Sequence, residues 1–191
     1  MKKSLEQRIA EAVREEVSLA AYDPAWPAMF ADEARSLRSK LPGPPVGRIE
    51  HFGSTAVPGL CAKPVIDILV EVASHEQAKE TIAPALEAEG YEYFWRPMFE
   101  GSDVFYAWFI KRGPGGKRTH HIHMVESDSE LWDRLRFRDY LREFPAERER
   151  YERLKRELAA RHPGDRVAYT EAKTGFVVAV TEKAKRYYDA A

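Results

Sequence analysis

Residues 65–72 form a nearly continuous apolar run that is interrupted at its third position by Asp67. A run of this length and composition is typical of a central β-strand that is buried on both faces. A carboxylate at such a position must be paired, neutralised or bound to a metal, because burying a lone charge costs several kcal/mol. Two interpretations stay open: a structural ion pair, for example with Lys63, or a functional carboxylate.

The periodicity of the remaining sequence predicts an α+β protein. The predicted elements are a helix over residues 4–16, a short strand over Val17–Tyr22, a helix from Asp23-Pro24 to Leu41, strands over Arg48–Phe52 and residues 65–72, a helix from Ser74 to Ala88, strands over Tyr91–Trp95, Val104–Lys111 and His120–Val125, and helices over Leu131–Glu143, Ala146–Arg161 and Asp165–Tyr187. We expect one domain over residues 1–191. Its core, at about residues 17–126, is a mixed sheet with helices on one side, and a three-helix annex at about residues 127–191 packs on it.

The composition excludes several classes of protein. Thirty basic and 31 acidic residues leave a formal charge of −1, so the overall charge does not favour nucleic acid or an anionic membrane. No apolar stretch approaches the ~20 residues that a membrane-spanning helix needs. A single cysteine, Cys61, excludes an internal disulfide, and we expect it to be a small buried residue. These features predict a soluble cytoplasmic protein.

The turn at Gly53-Ser54 follows the strand that ends at Phe52. A glycine at this place lets the backbone approach a ligand closely, and Ser54 and Thr55 offer hydroxyl and amide donors to a phosphate. An ordinary turn capped by Ser54 explains the same residues. The spacing to Gly59 differs from that of a Walker A loop, which excludes that motif.

His121 and His123 lie two positions apart on a predicted strand, so their side chains share one face of the sheet. Such a pair can ligate one metal ion or donate to one phosphate, although it can also be structural. His120 would face the other way. With Asp67 on a neighbouring strand, a three-residue metal site is a reasonable hypothesis.

Basic residues could complete a pocket for a polyanion, although each alone is more typical of a solvated surface. The candidates are Lys63, Arg96, Lys117 and Arg118, together with Arg134, Arg138 and Arg142, which recur at intervals of four on one helical face and could clamp a triphosphate.

Several segments together resemble the GrpB family, whose members have a nucleotidyltransferase-like fold. The segments are Tyr22-Asp23-Pro24-Ala25-Trp26, residues 49–60 with the core Gly53-Ser54-Thr55, Lys63-Pro64-Val65-Ile66-Asp67-Ile68, His121-Ile122-His123-Met124-Val125, Phe137-Arg138-Asp139-Tyr140-Leu141-Arg142, Tyr151, Leu154-Lys155 and residues 169–173. They span about residues 22–187, which is nearly the whole chain.

The resemblance implies a nucleotidyltransferase-like mixed sheet and a related chemistry. In that superfamily a Gly-Ser turn holds nucleotide phosphate, and an Asp-x-Asp pair with a third carboxylate binds two metal ions. Asp67 matches the second Asp of the pair, but Val65 stands at the first, where no metal can bind. One Asp and two His suit Zn²⁺, Mn²⁺ or Fe²⁺ better than two Mg²⁺ ions.

The expected function is therefore a nucleotidyltransferase-type reaction on a small molecule, with a nucleoside triphosphate as a substrate and a divalent metal (Mg²⁺, Mn²⁺ or Zn²⁺) at Asp67, His121 and His123. Phosphate would bind at Gly53, Ser54, Thr55, Lys63 and Arg138. The candidate catalytic residues are Asp67, His123, Glu50 and His51, the last two as a further ligand or general base. The alternatives are a non-catalytic nucleotide- or coenzyme-binding module and a metal-dependent hydrolase or ligase. The family's domain also occurs joined to dephospho-coenzyme A kinase, which fits a role near coenzyme metabolism.

Overall fold

The computed structural model describes residues 16–41, 46–98 and 102–190. The helix predicted over residues 4–16 lies outside this part of the chain, apart from Glu16. Among the described helices, none is long and apolar enough to cross a membrane.

Five strands form one mixed sheet. They are β1 (Ile49–Phe52), β2 (Ile66–Glu71), β3 (Glu92–Pro97), β4 (Phe105–Arg112) and β5 (Arg118–Val125), in the order β1-β2-β5-β4-β3. Among these described strands, β2 and β5 pair in parallel and the other neighbours pair antiparallel. β2 is an interior strand, as its apolar run predicts, because β1 and β5 flank it. The strand predicted over Val17–Tyr22 is wrong: this segment makes a single bridge, between Ala20 and Ala62.

Two helices from the first half of the chain cover one face of the sheet. The first, α1 (Trp26–Lys40), begins two residues later than the Asp-Pro signal predicts, and the Asp23 carboxylate accepts a hydrogen bond from the Ala25 amide at 2.8 Å. The second, α2, covers residues 75–88, contains a π-helical turn at Ala78–Ile82, and is capped by Ser74 as predicted. Apolar residues of both helices, Trp26 and Ile82 among them, join Ile68 and Ile122 of the sheet in one buried cluster.

The described residues of the C-terminal half form four α-helices instead of the predicted three, preceded by a 3-10 turn at Glu130–Trp132. They are α3 (Asp133–Glu143), α4 (Pro145–Arg161), α5 (Arg166–Ala172) and α6 (Thr174–Asp189). The third predicted helix is wrong because it breaks at Lys173, immediately before Thr174-Gly175, two residues of low helix propensity.

The helical half packs on the sheet half through apolar and polar contacts. Val57 and Leu60, which follow β1, are buried with Phe137, Tyr140 and Val180 of the helices. The buried Lys155 side chain of α4 donates to the carbonyl of Cys61, and Cys61 itself is buried, as predicted. These contacts place the helices over the sheet face that carries Asp67.

Candidate metal and anion site between the sheet and the C-terminal helices

A cavity of about 1160 Å³ lies between the sheet and the C-terminal helices. Pockets that bind small ligands in proteins usually measure about 300–1,000 Å³. This cavity can therefore hold a ligand of nucleotide size or larger. Its walls bring together residues from both halves of the chain.

The pairing of β2 with β5 brings Asp67 beside the two histidines. Asp67 is opposite His121 in this parallel pair, and His123 is opposite Leu69, two residues further along. Because side chains alternate across a strand, Asp67, His121 and His123 all face the cavity. One potential ligand atom from each of the three lies within 4.8 Å of those from the other two. This is the convergence that the sequence predicts.

A chain of hydrogen bonds connects two members of this cluster to Arg118. Nη1 of Arg118 lies 3.3 Å from Nε2 of His121, and Nδ1 of His121 lies 3.0 Å from Oδ1 of Asp67. A guanidinium can only donate, so Nε2 accepts and the proton of the neutral imidazole sits on Nδ1, from which it is donated to Asp67. A metal ion bound by His121 would have to displace one of these two hydrogen bonds.

The protonation states of the cluster suit a cation. Burial alone would raise the pKa of Asp67. The hydrogen bond from His121 and the charges of His121, His123 and Lys63 lower that pKa to about 2. Burial lowers the pKa of His121 to about 4 and that of His123 to about 3, against the raising effect of Asp67. At neutral pH the site therefore presents one carboxylate and two neutral imidazoles, the forms that ligate metals.

His123 is fixed by aromatic neighbours. Its Nδ1 lies 3.0 Å from the hydroxyl of Tyr106, whose ring is stacked on the imidazole, and Phe52 meets it edge-on. A second partner of this kind orients a metal-ligating histidine and sets its tautomer. The ligand atoms of the three side chains thus lie close enough together that they could hold a single transition-metal ion.

Gly53 makes room for Asp67. Its φ of +74° is in the left-handed region, and a Cβ built on it would lie 2.5 Å from Oδ2 of Asp67. The glycine is required by the carboxylate, whether or not a ligand also approaches. Ser54 lines the cavity next to it. Thr55 also lines the cavity, but its hydroxyl donates to the Val65 carbonyl at 3.4 Å.

Basic side chains dominate the charged lining of the cavity. The cationic residues are Lys63, Arg96, Arg118, Arg134, Lys155, Arg166 and Lys173, against the acidic residues Asp67 and Glu171. An excess of cations in a partly enclosed cavity raises the local concentration of anions. The electrostatics therefore favour a polyanionic ligand.

Three predicted site residues lie elsewhere. His51 neighbours Phe52 on β1 and so points to the opposite face of the sheet, where its ring is stacked on Phe30 and Nε2 lies 3.0 Å from the Thr55 hydroxyl. Glu50 accepts a hydrogen bond from Nη1 of Arg138 at 3.0 Å, and the same Nη1 donates to the His51 carbonyl at 2.8 Å.

These three residues line a separate pocket of about 450 Å³. Arg138 forms an ion pair with Glu50 that attaches α3 to β1, and a second one with its neighbour Asp139 on α3. The structure therefore separates Arg138 from the other phosphate-binding candidates. Of the three arginines on that helical face, Arg134 reaches the large cavity, and Arg142 donates to the Ala56 carbonyl at 2.9 Å.

Sequence reasoning missed the contribution of α4 and α5. Lys155, Arg166 and Lys173 line the cavity, yet none of them was a candidate. One signal was available: Lys155 shares the apolar face of α4 with Tyr151 and Leu158, which lie four residues before it and three after it. A lysine at a core position of an amphipathic helix indicates an ammonium group with a specific partner.

Comparison with known proteins settles the family. The profile of the GrpB protein family matches residues 16–183. The chain belongs to the GrpB family. The match includes every cation of the cavity and the three residues Asp67, His121 and His123, which we call the Asp67 cluster.

Relatives of this GrpB chain share its fold. A UPF0157 protein of Pseudomonas aeruginosa is 42% identical over 181 residues, which cover 93% of this chain and 72% of the relative. The crystal structure of the conserved protein GrpB from Enterococcus faecalis superposes with a TM-score of 0.77 at 37% identity and covers 90% of this chain and 99% of that one.

A more distant relative has a named activity. A dephospho-CoA kinase of Mycobacterium bovis is 29% identical over 204 residues, which cover 94% of this chain and 49% of the kinase. This GrpB chain therefore spans about half the length of that enzyme.

Proposed function

We propose that this chain is a metal-assisted enzyme of nucleotidyltransferase type that acts on a phosphorylated small molecule. The observation that carries the proposal is the position of Asp67, His121 and His123: their ligand atoms lie within 4.8 Å of one another on the wall of a cavity rich in cations. Metal ligands beside a binding site for anions are the arrangement that phosphoryl and nucleotidyl transfer requires.

Each part of the cavity has a role in this proposal. Asp67, His121 and His123 hold one divalent ion, which when bound neutralises charge on phosphate oxygens. Gly53, Ser54 and Lys63 lie on the same wall and contact the phosphate next to that ion. The chemistry uses one metal instead of two, because Val65 is an apolar side chain that is 8% exposed.

The relatives are compatible with a nucleotide or coenzyme as ligand. The kinase relative is named for dephospho-CoA, a molecule that contains a nucleotide, and the similarity covers nearly all of this chain. A cavity of about 1160 Å³ can accommodate a ligand of that size.

A second candidate function is a binding module that works without metal. The chain of hydrogen bonds from Arg118 through His121 to Asp67 favours it, because these side chains are already partners of one another within the protein. In this case the cationic cavity binds the anion directly, and no transfer takes place.

Metal binding separates the two candidates. The binding of Co²⁺ and Zn²⁺ is measured by titration calorimetry and, for Co²⁺, by its visible absorption, with the wild type and with Asp67→Asn, His123→Gln and the control His162→Gln. The enzyme proposal expects one ion per chain, lost in the first two variants and kept in the control, since His162 lies outside the cavity at the end of α4.

Nucleotide binding and turnover complete the test. The melting temperature is recorded with nucleoside triphosphates, with and without metal, because a ligand of the native state raises it by mass action. Release of pyrophosphate with candidate acceptors identifies transfer. Nucleotide binding that ignores metal and both cluster variants supports the module, and no shift with any nucleotide refutes both candidates.

A further inference from the structure

Three lysines line the end of the cavity formed by the C-terminal helices, two of them beside the Tyr169 ring and one beside the Tyr151 ring. Nζ of Lys63 lies 5.3 Å from the centre of the Tyr169 ring, and Nζ of Lys173 lies 5.7 Å from it. Lys155 belongs to the same wall, and its Nζ lies 4.9 Å from the centre of the Tyr151 ring. We call Lys63, Lys155 and Lys173 the lysine cluster.

Within the part of the chain that the structure describes, no carboxylate forms a salt bridge with the lysine cluster, although Asp67 acts on Lys63 and Glu152 acts on Lys155 over longer distances. Lys155 is 2% exposed and donates to the carbonyl of Cys61. The ammonium groups of Lys63 and Lys173 lie beside the Tyr169 ring. Buried charges in proteins are usually paired, because an unpaired ammonium loses its hydration without compensation. The charge of this cluster is therefore left for a ligand to balance.

Neighbouring cations increase the imbalance. Burial, and then the charges of Lys173 and Arg166, hold the pKa of Lys63 well below its usual range against the raising effect of Asp67, with a further contribution from Arg118. Five cationic side chains thus act on one region. A single carboxylate would neutralise only one of them, whereas a diphosphate carries two or three charges and several acceptor oxygens.

We propose that the lysine cluster is a subsite for a diphosphate group, distinct from the Asp67 cluster and able to bind its anion without metal. This inference rests on the proposed function in one respect, the phosphorylated ligand, and it assigns the phosphate chain to α4, α5 and Lys63. Lys63 lies four residues before Asp67 in the chain and connects the two regions of the cavity.

Pyrophosphate is the probe that tests the subsite. Its affinity is measured by titration calorimetry in EDTA and in a buffer without phosphate, for the wild type and for Lys63→Gln, Lys173→Gln and Lys173→Arg. The matched control is Lys117→Gln, an exposed lysine in the turn between β4 and β5 that does not line the cavity. We expect Lys63→Gln and Lys173→Gln each to weaken binding about tenfold or more. Lys173→Arg should restore much of it, and the control should bind like the wild type.

Asp67→Asn distinguishes the subsite from the metal site. The proposal expects it to abolish metal binding and to keep pyrophosphate binding in EDTA. Pyrophosphate binding that is absent in EDTA, appears only with added metal and is lost in Asp67→Asn would place the anion at the Asp67 cluster and overturn the subsite, as would wild-type affinity in the two lysine-to-glutamine variants. A protein that binds metal but not pyrophosphate would refute the subsite and leave the metal site standing.

A measurement on the wild type alone covers the case in which a variant does not fold. Lysine acetylation by a small reagent is followed by mass spectrometry with and without pyrophosphate. Protection of Lys63 and Lys173, with Lys117 labelled equally in both samples, supports the subsite. Equal labelling of all three lysines contradicts it.

Discussion

Replacing Lys155 by methionine is the change that most directly tests whether the cavity holds uncompensated charge. The side chain is 2% exposed, and burial, with the charges of Lys173 and Arg156, lowers its pKa to about 7, although Cys61 and Glu152 oppose the shift. Lys155→Met keeps most of the length of the side chain and removes the ammonium group. It also removes the hydrogen bond to the Cys61 carbonyl, which costs about 1 kcal/mol at every pH.

The sign of the pH effect follows from the direction of the shift. The folded pKa of Lys155 lies below the unfolded one, so between the two values the unfolded chain binds more protons and stability rises with pH. Each unit of pH in this window adds about 1.4 kcal/mol to the free energy of unfolding of the wild type. Between about pH 7 and about pH 9 the gain is therefore roughly 2.5 kcal/mol, and Lys155→Met lacks it.

Urea denaturation at several pH values measures this difference. Titrations shared by the two proteins cancel in the difference between their free energies of unfolding, so the expected result is a wild type that gains on the variant as pH rises. Saturating pyrophosphate should remove the slope, because the bound anion keeps the ammonium protonated. If the difference between the two free energies of unfolding stays constant over the whole pH range, Lys155 has the pKa of an ordinary lysine. The reasoning about the cluster would then be refuted.

Two further substitutions test the roles of Gly53 and Arg138. Gly53→Ala should reduce the free energy of unfolding by about 3 kcal/mol and weaken metal binding, because the new Cβ meets Asp67. The control is Gly59→Ala, since Gly59 also has a positive φ but open space around it. In the same denaturation and titration experiments, Gly59→Ala should cost only about 1 kcal/mol and leave the metal site intact. Arg138→Ala should lower the free energy of unfolding by about 2 kcal/mol in urea denaturation, because it loses its contacts with Glu50 and Asp139. The affinities for metal and pyrophosphate should not change. A large loss of either affinity would show that Arg138 belongs to the binding site.

The sequence predicts the sheet side of the site well because two simple periodicities determine it. An apolar run with a carboxylate at its third position identifies β2, and the alternation of side chains puts His121 and His123 on one face of β5. Pairing of β2 with β5 then brings Asp67 beside them. The same alternation could have excluded His51, since it lies between Glu50 and Phe52 on β1 and must face away from both.

Periodicity fails where the result depends on how one element crosses another. Arg134, Arg138 and Arg142 do share a face of α3, but that face passes from the cavity to the edge of β1, so only Arg134 lines the cavity. The break at Lys173 is equally local: it ends α5 and places Lys173 against the Tyr169 ring. Neither the direction of α3 nor this break follows from the spacing of apolar residues.

The distribution of charge over the two halves of the chain has a consequence for folding as well as for binding. The sheet half contributes Asp67, the two histidines and three of the cavity's cations, and the helical half contributes Arg134, Lys155, Arg166 and Lys173. In the free protein these cations repel one another across the interface between the halves, which opposes the apolar contacts that hold the halves together. A polyanion that contacts both walls removes this repulsion and binds only when the halves are docked. Its binding free energy therefore adds directly to the stability of the interface, so ligand affinity and the packing of the helices on the sheet are one coupled equilibrium.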